Sequence, residues 1–190
     1  MDTREHILSA GEEMMKRAGY SGFSYADVSK MVGIRKASIH HHFPTKADLA
    51  TAAVEMYRQG LRQRLAEVNL ETAGLTAALE TMGSIFVAGY EGPGGSCLCG
   101  SLAADWDILP EQVKDEVQAY WRVATAWIAE AISIEAPHLE STRVASLAQL
   151  VFSFFEGAML TARVQGETGP LTEAPRAALS ILQPWLQPSS

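Results

Sequence analysis

Cysteine is scarce in this chain: there are two, Cys97 and Cys99, only two positions apart. So close a pair offers no disulfide framework and fits a reducing compartment. No uninterrupted apolar run reaches the ~18 residues that read as a membrane span. The opening MDTREHILSAGEEMM is acidic and too broken in hydropathy for a secretory signal. A cytoplasmic protein with no membrane segment is therefore expected. Glycine-rich phosphate loops and metal-spaced clusters are missing too, so neither a cofactor nor a resident metal is expected. Period-2 alternation, the mark of strands, is also absent. What is present is 190 residues with a 47% hydrophobic fraction, enough for a real core.

The net charge of −7 is unevenly spread. Residues 1–64 carry ten lysines and arginines against seven carboxylates, a net of +3, while the remainder carries five against fifteen, a net of −10. A basic third on an acidic body points to a polyanion meeting the first part alone. Mixed surface charge on short helices gives the same count.

Helix signals fill the chain, and the expected fold is all-α with about nine helices. Asp2 with Glu5, Ser24 with Asp27, and Thr45 with Asp48 each set a capping residue three positions before an acid, the capping-box pattern. Gly19, Gly33 and Pro44 supply the stops. The spacing predicts helices over 3–18, 25–32, 36–43 and 46–68. Ile7, Leu8, Met14, Ala18, Val28, Val32, Ile34, Ile39, Phe43 and Leu49 recur at helical spacing and are predicted to form a small three-helix core closed by the fourth helix. Further helices are predicted over about 72–89, 101–106, 110–134, 139–166 and 171–186. The stretch GYEGPGGSCLCG, residues 89–100, breaks the pattern with five glycines and a proline.

Two short helices joined by the glycine-containing turn VGIRK make a helix-turn-helix pattern, whose second helix enters the DNA major groove. Ile39 and Phe43, four apart, face inward on that helix and leave Lys36, Ser38, His40 and His41 for bases or phosphates. The run His40-His41-His42 has a rival reading as a metal site. Successive helix residues diverge by ~100°, however, so three in a row do not converge on one ion. Lys46 opens the fourth helix, where free N–H groups and the helix dipole favour an anion. It reads either as a phosphate clamp or as an ordinary exposed lysine.

GYSGFSYADVSKMVGIRKASIHHHFPTKADL, residues 19–49, resembles the DNA-binding segment of the TetR family of one-component transcriptional regulators. The match rests on Gly19, Tyr20, Ser24, Asp27, Val28, Gly33, Lys36, Ser38, His42, Phe43 and Lys46. The chain departs at Ser29 (usually alanine), Ala37 (usually glycine) and His40 (usually a phosphate-touching tyrosine), departures expected to alter operator preference. The resemblance implies a helix-turn-helix domain over 1–47 and a ligand-sensing and dimerisation domain over 48–190. It implies DNA contacts from Ser24, Arg35, Lys36, Ser38, His40, His41 and Lys46. It also implies a two-fold homodimer through the helices at about 139–166 and 171–186, both apolar around much of their circumference. Two recognition helices ~34–36 Å apart then meet successive major grooves of a palindromic operator on double-stranded DNA.

Aromatic and sulfur side chains downstream could line a site for a small apolar or electrophilic effector: Met82, Phe86, Cys97, Trp106, Tyr120, Trp121 and Phe155, with Trp127 and Met159 nearby. The same residues read equally as core. Asp105, Asp107 and Glu156 could select a cation or simply be solvated. SCLCGSLAA resembles a TetR subgroup that includes repressors of N-ethylmaleimide reductase genes. In that subgroup a cysteine at the position of Cys97 senses electrophiles or oxidants; the alternative is a small buried residue. A thiol beside a helix N-terminus is activated, yet no Lys, Arg or His adjoins Cys97 in sequence. An enzyme using Cys97 as nucleophile, or His138 with Glu140 as a base pair, lacks a companion constellation. The expected function is a dimeric DNA-binding repressor, not an enzyme, released by an effector or by thiol modification.

Overall fold

The computed structural model describes residues 2–187. Among them are nine α-helices and no strand: α1 Thr3–Ala18, α2 Tyr25–Val32, α3 Lys36–His42, α4 Lys46–Ala66, α5 Leu70–Glu91, α6 Leu98–Ala103, α7 Glu111–Glu135, α8 Ser141–Gln165 and α9 Gly169–Leu186, with a 3₁₀ turn at Trp106–Ile108. All three capping boxes form. Asp2 accepts from Arg4 N–H while Glu5 accepts from Asp2 N–H. Ser24 and Asp27 close theirs, as do Thr45 and Asp48. Gly33 ends α2 in the left-handed region (φ 75°), which side chains other than glycine rarely adopt.

From α3 onward the helix boundaries differ from the sequence reading by one to three residues. α4 stops at Ala66 rather than 68. α5 starts two residues early on an Asn69 cap and is broken at Gly74 (φ 74°, ψ 175°), so its regular part begins after that glycine. α6 spans 98–103 rather than 101–106 because the Cys97 sulfur caps it, accepting Gly100 N–H at 3.5 Å. Sulfur is an unusual cap and left no signal in the sequence.

The chain divides into two compact units, with division points inside α4, at 92–93 and inside α7. The first unit runs to Gly60 and includes Pro93–Trp121. Ile7, Leu8, Val28, Ile39, Phe43 and Leu49 are buried there as expected. Of the other predicted core residues, Met14, Val32 and Ile34 are half-buried and Ala18 is exposed. Met15 is fully buried instead of Met14. The inward face of α1 runs Ile7, Leu8, Gly11, Met15, one residue off the predicted register. Gly11 lies on that face against Leu49 of α4, where an added Cβ would stand 3.2 Å from the leucine side chain, a tight contact. Arg58 of α4 and Glu116 of α7 form a largely buried ion pair at 2.9 Å.

The second unit comprises Leu61–Gly92 and the chain from Arg122. α5, α8 and α9 pack together, with Phe86 stacked on Phe155 (5.5 Å) and edge-on to Phe152 (6.0 Å). Gly83 allows α9 to press close, since a Cβ there would meet Pro175 Cγ at 2.5 Å. By length and mean hydropathy (1.4) α8 is apolar enough to cross a membrane, which the lack of an uninterrupted apolar run did not reveal. Its inward residues Val144, Leu147, Val151, Phe152, Phe155 and Met159 are buried within this unit. Leu150 (50% exposed), Leu160 (61%) and Val164 (88%) form a second apolar stripe on its outside.

Candidate nucleic-acid interface

The α2–turn–α3 unit is held from three sides. Across the turn, Gly33 N–H and Ile34 N–H both donate to the Ser29 carbonyl, and the Ser29 hydroxyl donates to the Ile34 carbonyl. Serine at position 29 therefore staples the turn. Ile39 (0% exposed) and Phe43 (3%) anchor the inner face of α3. At the far end, the buried Tyr25 hydroxyl reaches the carbonyls of Phe43 (2.7 Å) and Thr45 (2.5 Å), fixing the exit from α3. Burial, helped by the nearby Asp48 and Tyr20, pushes the Tyr25 phenol up to about 12. It thus stays a donor at any physiological pH. Sequence reading missed Tyr25; the one signal was an aromatic directly after the Ser24 cap.

Of the residues expected to meet DNA, Arg35, Lys36, His40 and His41 are exposed and Ser38 is half-buried. All five lie on or beside α3. Ser24 is exposed, but its hydroxyl is engaged in the capping box, donating to Asp27 at 2.6 Å. His40 Nδ1 lies 3.1 Å from the Pro44 carbonyl, and its ring stands 4.7 Å from Tyr25. A carbonyl only accepts, so Nδ1 carries a proton here. The single N–H of a neutral ring is thereby occupied, which leaves Nε2 an acceptor. A phosphate contact through His40 requires the doubly protonated ring, a restriction the sequence reading did not anticipate.

Lys46 is not extended into solvent. Its ammonium sits 4.4 Å from the Phe23 ring centroid and 4.6 Å from that of Tyr20, cation–π distances. Burial holds its pKa below the ordinary value, with Asp105 pulling the other way. Asp105 is itself held low by Ser21 N–H first, then by the Ser21 hydroxyl, Tyr20 N–H and Lys46.

The residues expected to line an effector site fall into both units. In the second, Met82, Phe86 and Phe155 are buried and close-packed. In the first, Cys97 and Tyr120 are buried while Trp106 and Trp121 are half-buried. The Cys97 thiol lies 3.9 Å from the Tyr120 hydroxyl. Tyr120 stacks on Tyr57 at 5.2 Å, and the Lys16 ammonium stands 4.8 Å from the Tyr57 ring. A cation is therefore two rings away from Cys97, which sequence neighbours did not reveal. A groove in the second unit, about 550 Å³, is lined instead by Leu65, Leu70, Val123, Ala126 and Trp127, with Arg62, Glu71 and Glu130 among its polar lining residues.

Residues 7–53 match the family model described as bacterial regulatory proteins of the tetR family. Residues 74–178 match the tetracyclin repressor-like C-terminal domain. The chain belongs to the TetR family of DNA-binding transcriptional regulators and is not an enzyme. The HTH-type transcriptional repressor NemR of Escherichia coli is 25% identical over 182 residues, covering 91% of this chain and 90% of that one. A TetR-family regulator structure from Agrobacterium tumefaciens is 30% identical, with a TM-score of 0.80 over 94% of this chain and 96% of that one. The structure of reduced E. coli NemR, 22% identical over 95% of this chain and 96% of that one, shares the fold with a TM-score of 0.74.

Proposed function

We propose that this regulator is a homodimeric repressor that holds a palindromic operator and leaves it when an effector binds or a thiol at Cys97 is modified. Residues 1–47 act as the DNA-binding domain and residues 48–190 as the sensing and dimerisation domain, in the cytoplasm. The observation that carries the DNA reading is the α3 surface. Its inner face is locked by Ile39, Phe43 and the Tyr25 hydroxyl. Its outer face offers Arg35, Lys36, His40 and His41 together. Rigid presentation of basic and hydrogen-bonding side chains is what major-groove reading requires. Ser24 frames the edge of this surface, Ser38 adds a hydroxyl, and Lys46 supplies charge at the start of α4.

Dimerisation is supported by the outward stripe of Leu150, Leu160 and Val164 on α8 and by Ile181 and Trp185 on α9. Gly157, on α8 between Leu150 and Leu160, has no atom within 4 Å of an added Cβ, so a second helix has room to approach. Thiol sensing is supported by the seat of Cys97 as cap of α6 beside Tyr120. Modification of a buried, capping sulfur must displace the end of that helix. Met82, Phe86, Trp106, Tyr120, Trp121 and Phe155 are the residues an apolar effector would disturb.

The test is a gel shift on duplex DNA recovered by the protein, with and without a maleimide. Stoichiometric alkylation that abolishes the shift in wild type but not in Cys97→Ser supports release at Cys97. Retention of DNA by fully alkylated protein removes the thiol branch and leaves the small-molecule branch.

A further inference from the structure

Asp105, in the loop between α6 and the 3₁₀ turn, reaches across 84 residues of sequence to the α1–α2 loop. Its Oδ2 accepts Ser21 N–H at 3.0 Å and the Ser21 hydroxyl at 3.1 Å. The neighbouring Tyr20 N–H helps to hold the same carboxylate ionised, and the carboxylate charge also acts on Lys46. The fit is tight: a Cβ on Gly19 (φ 71°) would stand 2.5 Å from Oδ2. Two further contacts bind the same stretch of chain to α1. Ser101 of α6 donates its hydroxyl to the Lys16 carbonyl at 3.1 Å. Gly94 lies so close that a Cβ would meet Lys16 Cβ at 2.5 Å. The segment 93–106 therefore wraps the C-terminal end of α1 and the entry to α2.

We propose that Asp105 is a positioning residue that couples α6 directly to the helix-turn-helix through the Tyr20–Ser21 loop. The reading rests on DNA contact by α3. Ser24, the cap of α2, is three residues from Ser21, and Lys46 is seated on Tyr20. Displacement of α6 withdraws the carboxylate, frees both Ser21 donors at once and releases the loop from which α2 starts. The route runs through the front of the DNA-binding unit and needs no movement along α4. Because energetic coupling is reciprocal, DNA bound at α3 must in turn be felt at α6.

That reciprocity gives a test that requires no effector. Amide hydrogen exchange is measured on the full-length protein with and without operator duplex recovered by selection from random DNA. In wild type, the duplex slows exchange in 20–46 and also in 98–108. In Asp105→Ala, protection of 20–46 persists and that of 98–108 is lost. Asp105→Asn keeps both, because its amide oxygen still accepts Ser21 N–H. Ser21→Ala, which removes one donor, reduces the protection of 98–108 and gives the readout if Asp105→Ala does not fold. A purely structural role for Asp105 would not change the DNA-dependent difference. Segment 98–108 unprotected in wild type, or protected equally in Asp105→Ala, overturns the coupling while DNA contact stands. Protection of neither segment overturns DNA contact itself, and the coupling with it.

Discussion

Tyr25 shows how one hydroxyl sets the geometry of a binding surface. Its phenol closes the exit of α3 by reaching two carbonyls, and with Ile39 it fixes the direction in which Lys36 and His41 project. Tyr25→Phe keeps the ring but leaves both carbonyls without the phenol, and should cost about 1–3 kcal/mol in unfolding free energy. The pH dependence follows from the raised pKa. A phenol that titrates near 12 when folded and near 10.0 when unfolded contributes its full stability below pH 10 and loses it as pH rises to 12. The stability gap between wild type and Tyr25→Phe, followed by denaturant unfolding, should be constant to pH 10 and close above it. A gap independent of pH across that window would show that the hydroxyl is not the source.

Within the elements, charge placement decides what each helix can do for DNA. Lys36 stands exposed at the start of α3, whereas Lys46 is folded over two rings at the start of α4. Lys46→Ala should weaken binding to all sequences alike and lower the salt slope by about 1. Lys36→Ala should in addition blur sequence preference. An unchanged slope for Lys46→Ala would assign its charge to Tyr20, Phe23 and Asp105 alone. Element order, helix type and the three capping boxes were legible because capping uses a fixed three-residue spacing. The register of α1 was not: Met15 rather than Met14 enters the core, on the face where Gly11 meets Leu49. The start of α6 was hidden by its sulfur cap. Exposure of Lys36, His40 and His41 on α3 was readable from Ile39 and Phe43, whereas Ser38, read the same way, is half-buried. The contacts made by Tyr25 and Asp105 were not, since both act on backbone groups distant in sequence.

For the whole molecule, the apolar stripe on α8 bears on assembly. Val164 is 88% exposed and Leu160 61% in the single chain, more than a lone chain needs to leave in water. Leu160→Glu should convert a dimer to monomers in sedimentation analysis at micromolar concentration and, through loss of paired half-site binding, abolish operator affinity. The circular dichroism of each chain should remain helical. A dimer that persists in Leu160→Glu would place the interface elsewhere.

In the proposed function two copies of α3 read a symmetric DNA site. This is tested most directly by selecting retained fragments from random-sequence duplex DNA and sequencing them. Enrichment of one palindrome whose half-sites lie about one helical turn apart, ~34–36 Å, is the expected result. Enrichment of no sequence at low salt, or of a single unpaired half-site, would contradict it.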